Sequence, residues 1–266
     1  MMDYQEVMTR LMEHAAEAKP MFEPQQFVMI GLQGSQNYGL DIEGSDVDTK
    51  FVVAPTFKEI AMNRKPVSTT HIRANEEHID LKDVRLMLQT FKKQNMNFVE
   101  LLFTPYKEVN PLYQEQWDRL VREREVIAHY SPYQAVKTMK GVAMEKYHAM
   151  EHEYPSKLEV LAKYGYDPKQ LHHLLRVKDF LERYIAGESY ESCLQPRDPE
   201  YLKSVKKGLY NLDLARDVAD ATIKSVTEVA DTFTSTHECT CDPYAEELID
   251  DVQYEIMKTA VEQELK

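Results

Sequence analysis

Two short apolar runs, joined by a polar connection that contains glycine, constrain the fold of this chain more than any other feature. The first run, QFVMIGLQG at residues 26–34, is followed directly by serine, and the second, VDTKFVVAP at residues 47–55, follows an aspartate and ends at proline. β-rich runs of this length, bounded by glycine and proline, predict buried strands. We therefore expect two paired strands, with a Gly-Ser turn ending the first and an Asp-Val-Asp segment opening the second.

The remaining pattern predicts an α+β protein in two parts. A charged first helix occupies the N-terminus, a weaker pair of strands lies in THIRANEEHIDLKD at residues 70–83, and a helix follows it. A turn near residues 95–97 leads to NFVELLF, which is a second apolar helix or a strand. Further helices, several with proline in the first turn, are expected at residues 111–128, 132–153, 168–186, 199–209, 212–231 and 244–265. Gly165, Gly187 and Gly208 are candidate helix terminators. We expect a mixed-sheet domain at residues 1–130 and an all-α domain at residues 131–266.

Charge and cysteine content exclude several classes of function. A formal net charge of −13 argues against broad electrostatic binding to nucleic acid or to an anionic membrane. No apolar run approaches the roughly 18 residues of a membrane span, and the charged N-terminus does not resemble a signal peptide. Three cysteines are too few for a disulfide framework. We expect a cytoplasmic protein without a membrane partner.

Two familiar phosphate-binding patterns do not fit the glycines of the first connection. The P-loop requires Lys followed by Ser or Thr after its second glycine, and residues 33–38 contain no lysine. The dinucleotide fingerprint requires Gly-x-Gly-x-x-Gly, whereas Gly31, Gly34 and Gly39 occur at other spacings. A different kind of site must use this turn.

The chemistry of the segment points to phosphate and metal binding. Side chains alternate along a strand, so Asp46 and Asp48 are expected on one face while Val47 points into the core. Two adjacent carboxylates repel each other unless a cation lies between them, and hard oxygen ligands suit Mg²⁺ or Mn²⁺. Gly34 and Ser35 end the preceding strand at an expected helix start, where backbone N–H groups and a hydroxyl can hold a phosphate chain.

The segment has a strand that ends in Gly-Ser and, about ten residues later, Asp-x-Asp on a following strand. This order resembles the nucleotidyltransferase superfamily that includes DNA polymerase β. More narrowly, the chain resembles the predicted nucleotidyltransferases of the RNA-repair-pathway polymerase-β-like family. Three segments carry this resemblance: GSQNYGLDIEGSDVDTKFVVAP, NFVELLF and YDPKQLHHLLRVKDFLERYIAGE. The resemblance spans most of residues 27–190. It implies an NTP substrate, divalent metal and transfer of a nucleoside monophosphate (NMP) to a hydroxyl.

The resemblance also implies a third carboxylate on a neighbouring strand, for which we select Asp80, with Glu76 and Asp83 as competitors. Asp83 is the better candidate for capping the following helix. Asp46, Asp48 and Asp80 would be both the catalytic residues and the metal ligands. Gly34 and Ser35 would contact the β- and γ-phosphates, and Asn37 or Tyr38 would line the pocket, unless Tyr38 serves packing alone.

The helical part supplies a second group of candidate nucleotide ligands. Lys169, His173 and Arg176 recur at helical spacing and share a face, where cations would suit a triphosphate. In the nucleotidyltransferases that this chain resembles, a helical domain closes the nucleotide cleft and supplies basic residues to the nucleotide. Lys169 and Arg176 occupy the positions that match those basic residues. A solvated basic stripe on a surface helix is the alternative.

Three weaker patterns remain open. His148 and His152 lie four residues apart, and HECTC at residues 237–241 has a Cys-x-Cys pair, but neither has an identifiable full ligand set. Arg124 and His129 match the Arg-x4-His pattern of HEPN-type ribonucleases, a match that chance readily produces.

The sequence therefore favours a metal-dependent nucleotidyltransferase whose acceptor is an RNA end, a protein or a small molecule. The alternatives are an NTP-binding or antitoxin-like protein that modifies a protein partner or has lost turnover, and a HEPN-type ribonuclease.

Overall fold

The computed structural model describes residues 2–266, and its sheet has five strands. They are β1 (Phe27–Gln33), β2 (Asp48–Val53), β3 (Ser68–Ile72), β4 (His78–Asp83) and β5 (Lys107–Val109). The strand order is β3-β4-β2-β1-β5, and β2 and β4 are parallel while the other neighbours are antiparallel. The two apolar runs are thus adjacent central strands, as the sequence predicts.

The helices are α1 (Tyr4–Ala18), α2 (Phe57–Ala61), α3 (Val84–Lys92), α4 (Met96–Val99), α5 (Gln114–Arg122), α6 (Arg124–Ala128) and α7 (Pro132–Ala149). They continue with α8 (Leu158–Tyr164), α9 (Pro168–Ile185), α10 (Tyr190–Leu194), α11 (Pro199–Lys206), α12 (Leu212–Thr236) and α13 (Pro243–Glu264). Short 3-10 turns occupy Lys19–Met21, Pro24–Gln26, Ser35–Tyr38, Glu100–Leu102, Pro111–Tyr113 and Pro155–Lys157. The α+β class is confirmed.

Residues form two compact units, and each has its own core. Among the described residues, the first unit contains residues 2–37, 43–131 and 241–266, and the second contains residues 38–42 and 132–240. This grouping differs from the expected division after residue 130, because α13 packs on α3 and α5 of the sheet-containing unit. An amphipathic helix can be recognised from sequence, but its periodicity does not specify which surface its apolar face covers.

In the first unit, helix α1 covers one face of the sheet. Val7, Leu11 and Ala15 of α1 form a buried cluster with side chains such as Phe51 and Ile79 from the strands. Asp3 begins the helix by accepting a hydrogen bond from the Glu6 backbone N–H at 2.8 Å. The opposite face of the central strands carries Asp48, Lys50 and Asp80, because these positions alternate with Phe51 and Ile79, which face α1.

In the second unit, α9 is the central helix and packs against α7, α11 and α12. Gly165, Gly187 and Gly208 have φ of 79°, 84° and 86°, so each follows a helix in the left-handed conformation that the sequence predicts for a terminator.

Several predicted boundaries are wrong. The helix expected at 111–128 is divided into a 3-10 turn, α5 and α6, because Glu123 leaves the α region at φ −100° and ψ 19°. Helix α7 ends at Ala149 rather than at residue 153, and nothing in the structure explains the earlier end. Strand β5 and helices α8 and α10 were not predicted, because each is too short to display a clear period.

Across residues 2–266, no helix has both the length and the apolar character needed to cross a membrane.

Candidate active site

The register of β1 and β2 brings the Gly-Ser turn beside the Asp-Val-Asp segment. Gln33, the last residue of β1, pairs with Asp48, the first residue of β2, so Gly34 follows immediately at the same edge of the sheet. Val47 is completely buried in the core cluster, whereas Asp46 is exposed and the Asp48 side chain is 35% exposed. The alternation predicted for this segment is therefore present, with both carboxylates on the accessible side.

The Gly-Ser turn is sharper than the sequence predicts. Gly34 has φ of 134°, a conformation that disfavours any side chain, and Ser35 begins a 3-10 turn that ends at Tyr38. The expected helix start is thus a single turn, which is too short to carry an appreciable helix dipole. Any phosphate held here would depend on the local N–H groups and the Ser35 hydroxyl.

Asn37 and Tyr38 have structural contacts in addition to their predicted role. The Asn37 side chain donates to the Leu32 carbonyl at 3.1 Å and accepts a hydrogen bond from the Thr104 hydroxyl at 2.6 Å, so it braces the turn. The Tyr38 ring is 3% exposed and lies under the Arg176 guanidinium, 3.7 Å from the ring centroid. Packing, the alternative role of Tyr38, is therefore part of what this residue does.

Asp80 lies on the same face of the sheet as Asp48, one strand away. It pairs in register with Lys50, whose Nζ is 3.2 Å from the Asp80 Oδ2. The Asp48 Oδ1 accepts the His78 backbone N–H at 2.9 Å, which joins the start of β2 to the start of β4. The competitors have other positions: Glu76 forms the β3–β4 turn with φ of 67°, and Asp83 caps α3 and pairs with Arg85.

Lys50 is a site residue that sequence reasoning missed. Its side chain is 3% exposed and its Nζ lies 3.7 Å from the centroid of the Phe98 ring. Burial lowers the pKa of Lys50 to about 8, and the neighbouring Asp80 opposes that shift. A lysine inside the apolar run DTKFVV was the available signal, because a buried cation requires a carboxylate or an aromatic partner.

The donor set fits a hard divalent cation in part. Asp46 and Asp48 present carboxylate oxygens on an accessible surface, which is the chemistry that Mg²⁺ and Mn²⁺ prefer. Within residues 2–266, no three His, Cys, Asp or Glu side chains are close enough to hold a metal ion together. Asp80 contacts Lys50 instead and is not gathered into one ligand group with Asp46 and Asp48.

Two further residues that the sequence did not reveal contact the Asp-Val-Asp segment. The Gln36 side chain donates to the Asp46 carbonyl, and the Glu77 carboxylate accepts the Val47 N–H. Glu77 in turn contacts His14, whose other ring nitrogen is 2.9 Å from the Thr49 hydroxyl oxygen. Burial lowers the pKa of His14 despite its contact with Glu77, so the ring is neutral at pH 7.

In the second unit, the three predicted ligands do share a face of α9, but they do not form a set of three cations. Arg176 is 8% exposed and stacks on Tyr38, and Lys169 is partly exposed. Burial lowers the pKa of His173 well below its ordinary value, so this ring is neutral at pH 7. His173 therefore adds no positive charge to this face, and its predicted contact with the nucleotide stays a prediction.

Among residues 2–266, the two remaining metal-ligand patterns do not form a metal site. His152 lies beyond the end of α7, so it does not share a helix face with His148. Cys239 and Cys241 are exposed thiols. Arg124 and His129 lie at opposite ends of the one-turn helix α6, where the Arg124 guanidinium is 5.2 Å from the centroid of the Phe103 ring.

A mixed sheet in which an Asp-x-Asp strand pairs with a strand ending in Gly-Ser is the arrangement expected of a polymerase-β-like nucleotidyltransferase. Residues 5–183, more than half of the chain, match the RNA repair pathway DNA polymerase beta family, and the chain belongs to that family. A search of curated proteins found no match. One similar solved structure is a nucleotidyltransferase-like protein from Exiguobacterium sibiricum 255-15, which is 11% identical in sequence. The alignment covers 85% of this chain and 75% of that chain, with a TM-score of 0.29.

Proposed function

We propose that the protein transfers an NMP from an NTP to a hydroxyl acceptor, and that the reaction depends on Mg²⁺ or Mn²⁺. The observation that carries the proposal is the β1–β2 register, in which the end of the Gly-Ser strand pairs with Asp48. This register joins a turn able to hold phosphate to a strand able to hold a cation. Family membership independently supports nucleotidyl transfer.

In this proposal, Asp46 and Asp48 hold the metal, and Asp80 is the third carboxylate. When bound, the metal would neutralise charge on the phosphates and activate the attacking hydroxyl. The acceptor oxygen forms a bond to the α-phosphorus, the bond from that phosphorus to the bridging oxygen breaks, and pyrophosphate leaves. Asp80 receives the proton of the hydroxyl, while the Gly34 backbone and Ser35 hold the β- and γ-phosphates.

Asp80 requires a change of partner to take this role. Its Oδ2 contacts the Lys50 ammonium, and Lys50 also contacts the Phe98 ring. Because the aromatic face provides a second partner for the cation, Lys50 retains a favourable contact when Asp80 is engaged elsewhere. Lys50 also offsets the repulsion between Asp48 and Asp80 on the same face of the sheet.

Lys169 and Arg176 remain predicted triphosphate ligands, and closure of the cleft by the helical part remains a prediction. We propose an RNA terminus as the acceptor, because the family is described as part of an RNA repair pathway. A net charge of −13 limits the length of RNA that the protein could contact, so a short terminal segment fits better than a long duplex.

The proposal is tested by label transfer from each of the four α-labelled NTPs to RNA oligonucleotides with free hydroxyl ends, and to a cell extract. Wild type should release pyrophosphate and label an acceptor only with Mg²⁺ or Mn²⁺ present, and Asp46→Asn should not. If the label appears on a protein or a small molecule and not on RNA, that molecule replaces RNA as the proposed acceptor. NTP binding without transfer to any acceptor would favour the binding-protein alternative, and RNA cleavage that His129→Ala abolishes would favour the ribonuclease.

A further inference from the structure

The peptide that links Asp46 to Val47 is held at both of its polar ends. The Gln36 Nε2 donates to the Asp46 carbonyl oxygen at 2.7 Å, and the Val47 N–H donates to the Glu77 Oε1 at 2.8 Å. The carbonyl and the N–H belong to the same peptide group. We propose that Gln36 and Glu77 are positioning residues that fix this peptide and thereby direct the Asp46 carboxylate toward the metal, an inference that rests on the proposed function.

Asp46 differs from Asp48 because it lies outside the sheet. Asp48 is fixed by its pairing with Gln33 and by the His78 N–H, whereas Asp46 precedes β2 and lies outside the strand pairing. A peptide group is planar, so only the rotations on its two sides can change the direction of the neighbouring side chains. Holding both polar ends of the 46–47 peptide restricts those rotations and fixes Asp46 relative to Asp48.

Glu77 is well suited to hold an N–H in place. Its side chain is 1% exposed, and it contacts donors from α1 and from the β3–β4 connection: Arg10, His14, Arg73 and Asn75. Burial raises the pKa of Glu77, but hydrogen bonds from His14, the Val47 N–H and Asn75 outweigh burial and lower it, so the carboxylate stays ionised. A fully paired, ionised carboxylate is a strong and immobile acceptor for the Val47 N–H.

Gln36 is a buried side chain whose amide nitrogen contacts the Asp46 carbonyl. Its side chain is 8% exposed, and its Oε1 has no hydrogen-bond partner among the described residues, so the bond from Nε2 to the Asp46 carbonyl is its principal polar contact. The same Oε1 would lie 3.4 Å from a Cβ added at Gly34. Gln36 therefore folds over the phosphate-holding turn and connects it to the Asp-Val-Asp segment.

Two variants with matched controls separate positioning from general stability. Gln36→Met removes the donor to Asp46, and its control is Gln26→Met, since Gln26 is also 8% exposed and donates to the Ala54 carbonyl at 3.2 Å. Glu77→Gln removes the buried charge, and its control is Asp83→Asn, a buried carboxylate at the other end of β4. For the full chain we measure Mn²⁺ binding by electron paramagnetic resonance, thermal unfolding, and hydrogen exchange of the Val47 amide.

Gln36→Met and Glu77→Gln should each weaken Mn²⁺ binding about tenfold or more, as removal of residues that orient metal ligands generally does. Gln26→Met and Asp83→Asn should bind Mn²⁺ like wild type even where they unfold at a lower temperature. Wild-type Mn²⁺ affinity in Gln36→Met and Glu77→Gln would overturn the inference.

The Val47 amide provides a readout that does not involve metal. It should exchange slowly in wild type and about fivefold faster in Glu77→Gln, since a neutral amide oxygen accepts a hydrogen bond that is weaker than one to an ionised carboxylate by roughly 1 kcal/mol. Equal exchange rates in the two proteins would overturn the inference even if wild type bound no Mn²⁺. Slow exchange and strong Mn²⁺ binding in a wild type that transfers no nucleotide would support the positioning role and contradict the proposed function.

Discussion

Replacement of Gly31 by alanine tests how tightly the site face of β1 is packed. A Cβ at Gly31 would lie 2.5 Å from the Leu101 Cδ1, 3.2 Å from the Met29 Cε and 3.4 Å from the Thr104 Cγ2. Leu101, Met29 and Thr104 are 1%, 0% and 2% exposed, so none can move into solvent without disturbing its neighbours. The added methyl group therefore cannot be accommodated by a simple rotation of one side chain.

The expected cost follows from overpacking, which generally destabilises by about 1–3 kcal/mol. Alanine in a strand regains roughly 0.5–1 kcal/mol relative to glycine through backbone entropy, so we expect a net loss of about 1–2 kcal/mol. Urea unfolding followed by Trp117 fluorescence measures it, because this is the single tryptophan of the chain and lies in the same unit as Gly31.

The matched control is Gly141→Ala, an exposed position inside α7 where nothing lies within 4 Å of the added Cβ. Alanine there should stabilise the second unit by about 0.5–1 kcal/mol, through higher helix propensity. The reasoning is refuted if Gly31→Ala has the wild-type unfolding midpoint.

Two further predictions concern the phosphate turn and pH. Gly34→Ala should lower the free energy of unfolding by about 1–3 kcal/mol and abolish NTP binding in a fluorescent-nucleotide titration. The control Gly44→Ala should still bind NTP, because Gly44 has φ of 78° but nothing lies within 4 Å of its added Cβ. Burial lowers the pKa of His172 from 6.5 to about 4, so as the pH falls the unfolded chain binds this proton before the folded chain does. The free energy of unfolding of wild type should therefore fall by roughly 2–3 kcal/mol between pH 6.5 and pH 4. Urea titrations at several pH values should show a smaller loss in His172→Gln; an equal loss would contradict this assignment.

Sequence patterning predicted the elements whose signal is local. The β1 and β2 runs are apolar and bounded by glycine and proline, and the two strands pair as expected. Val47 is buried while Asp46 is exposed and Asp48 is partly exposed, as the alternation expected of an extended segment predicts. Local sequence signals are therefore sufficient to locate the candidate phosphate turn and the carboxylate pair.

Contacts between distant parts of the chain could not be predicted in the same way. Glu77 lies 30 residues from the N–H that it holds, and its pairing with Arg10 and His14 requires α1 to cover the sheet. Lys50 and Asp80 become neighbours only through the parallel pairing of β2 and β4. A single sequence specifies each of these side chains but not the register that joins them.

The central claim is that Asp46 and Asp48 serve metal-dependent NMP transfer, and the rate of pyrophosphate release with an RNA end as acceptor tests it most directly. Asp46→Asn and Asp48→Asn should lower the rate about a thousandfold, because a metal supplies several kcal/mol of transition-state stabilisation. Glu43→Gln, which removes an exposed carboxylate from the same connection, should leave the rate unchanged. Pyrophosphate release that persists at the wild-type rate in Asp46→Asn and Asp48→Asn would contradict the account.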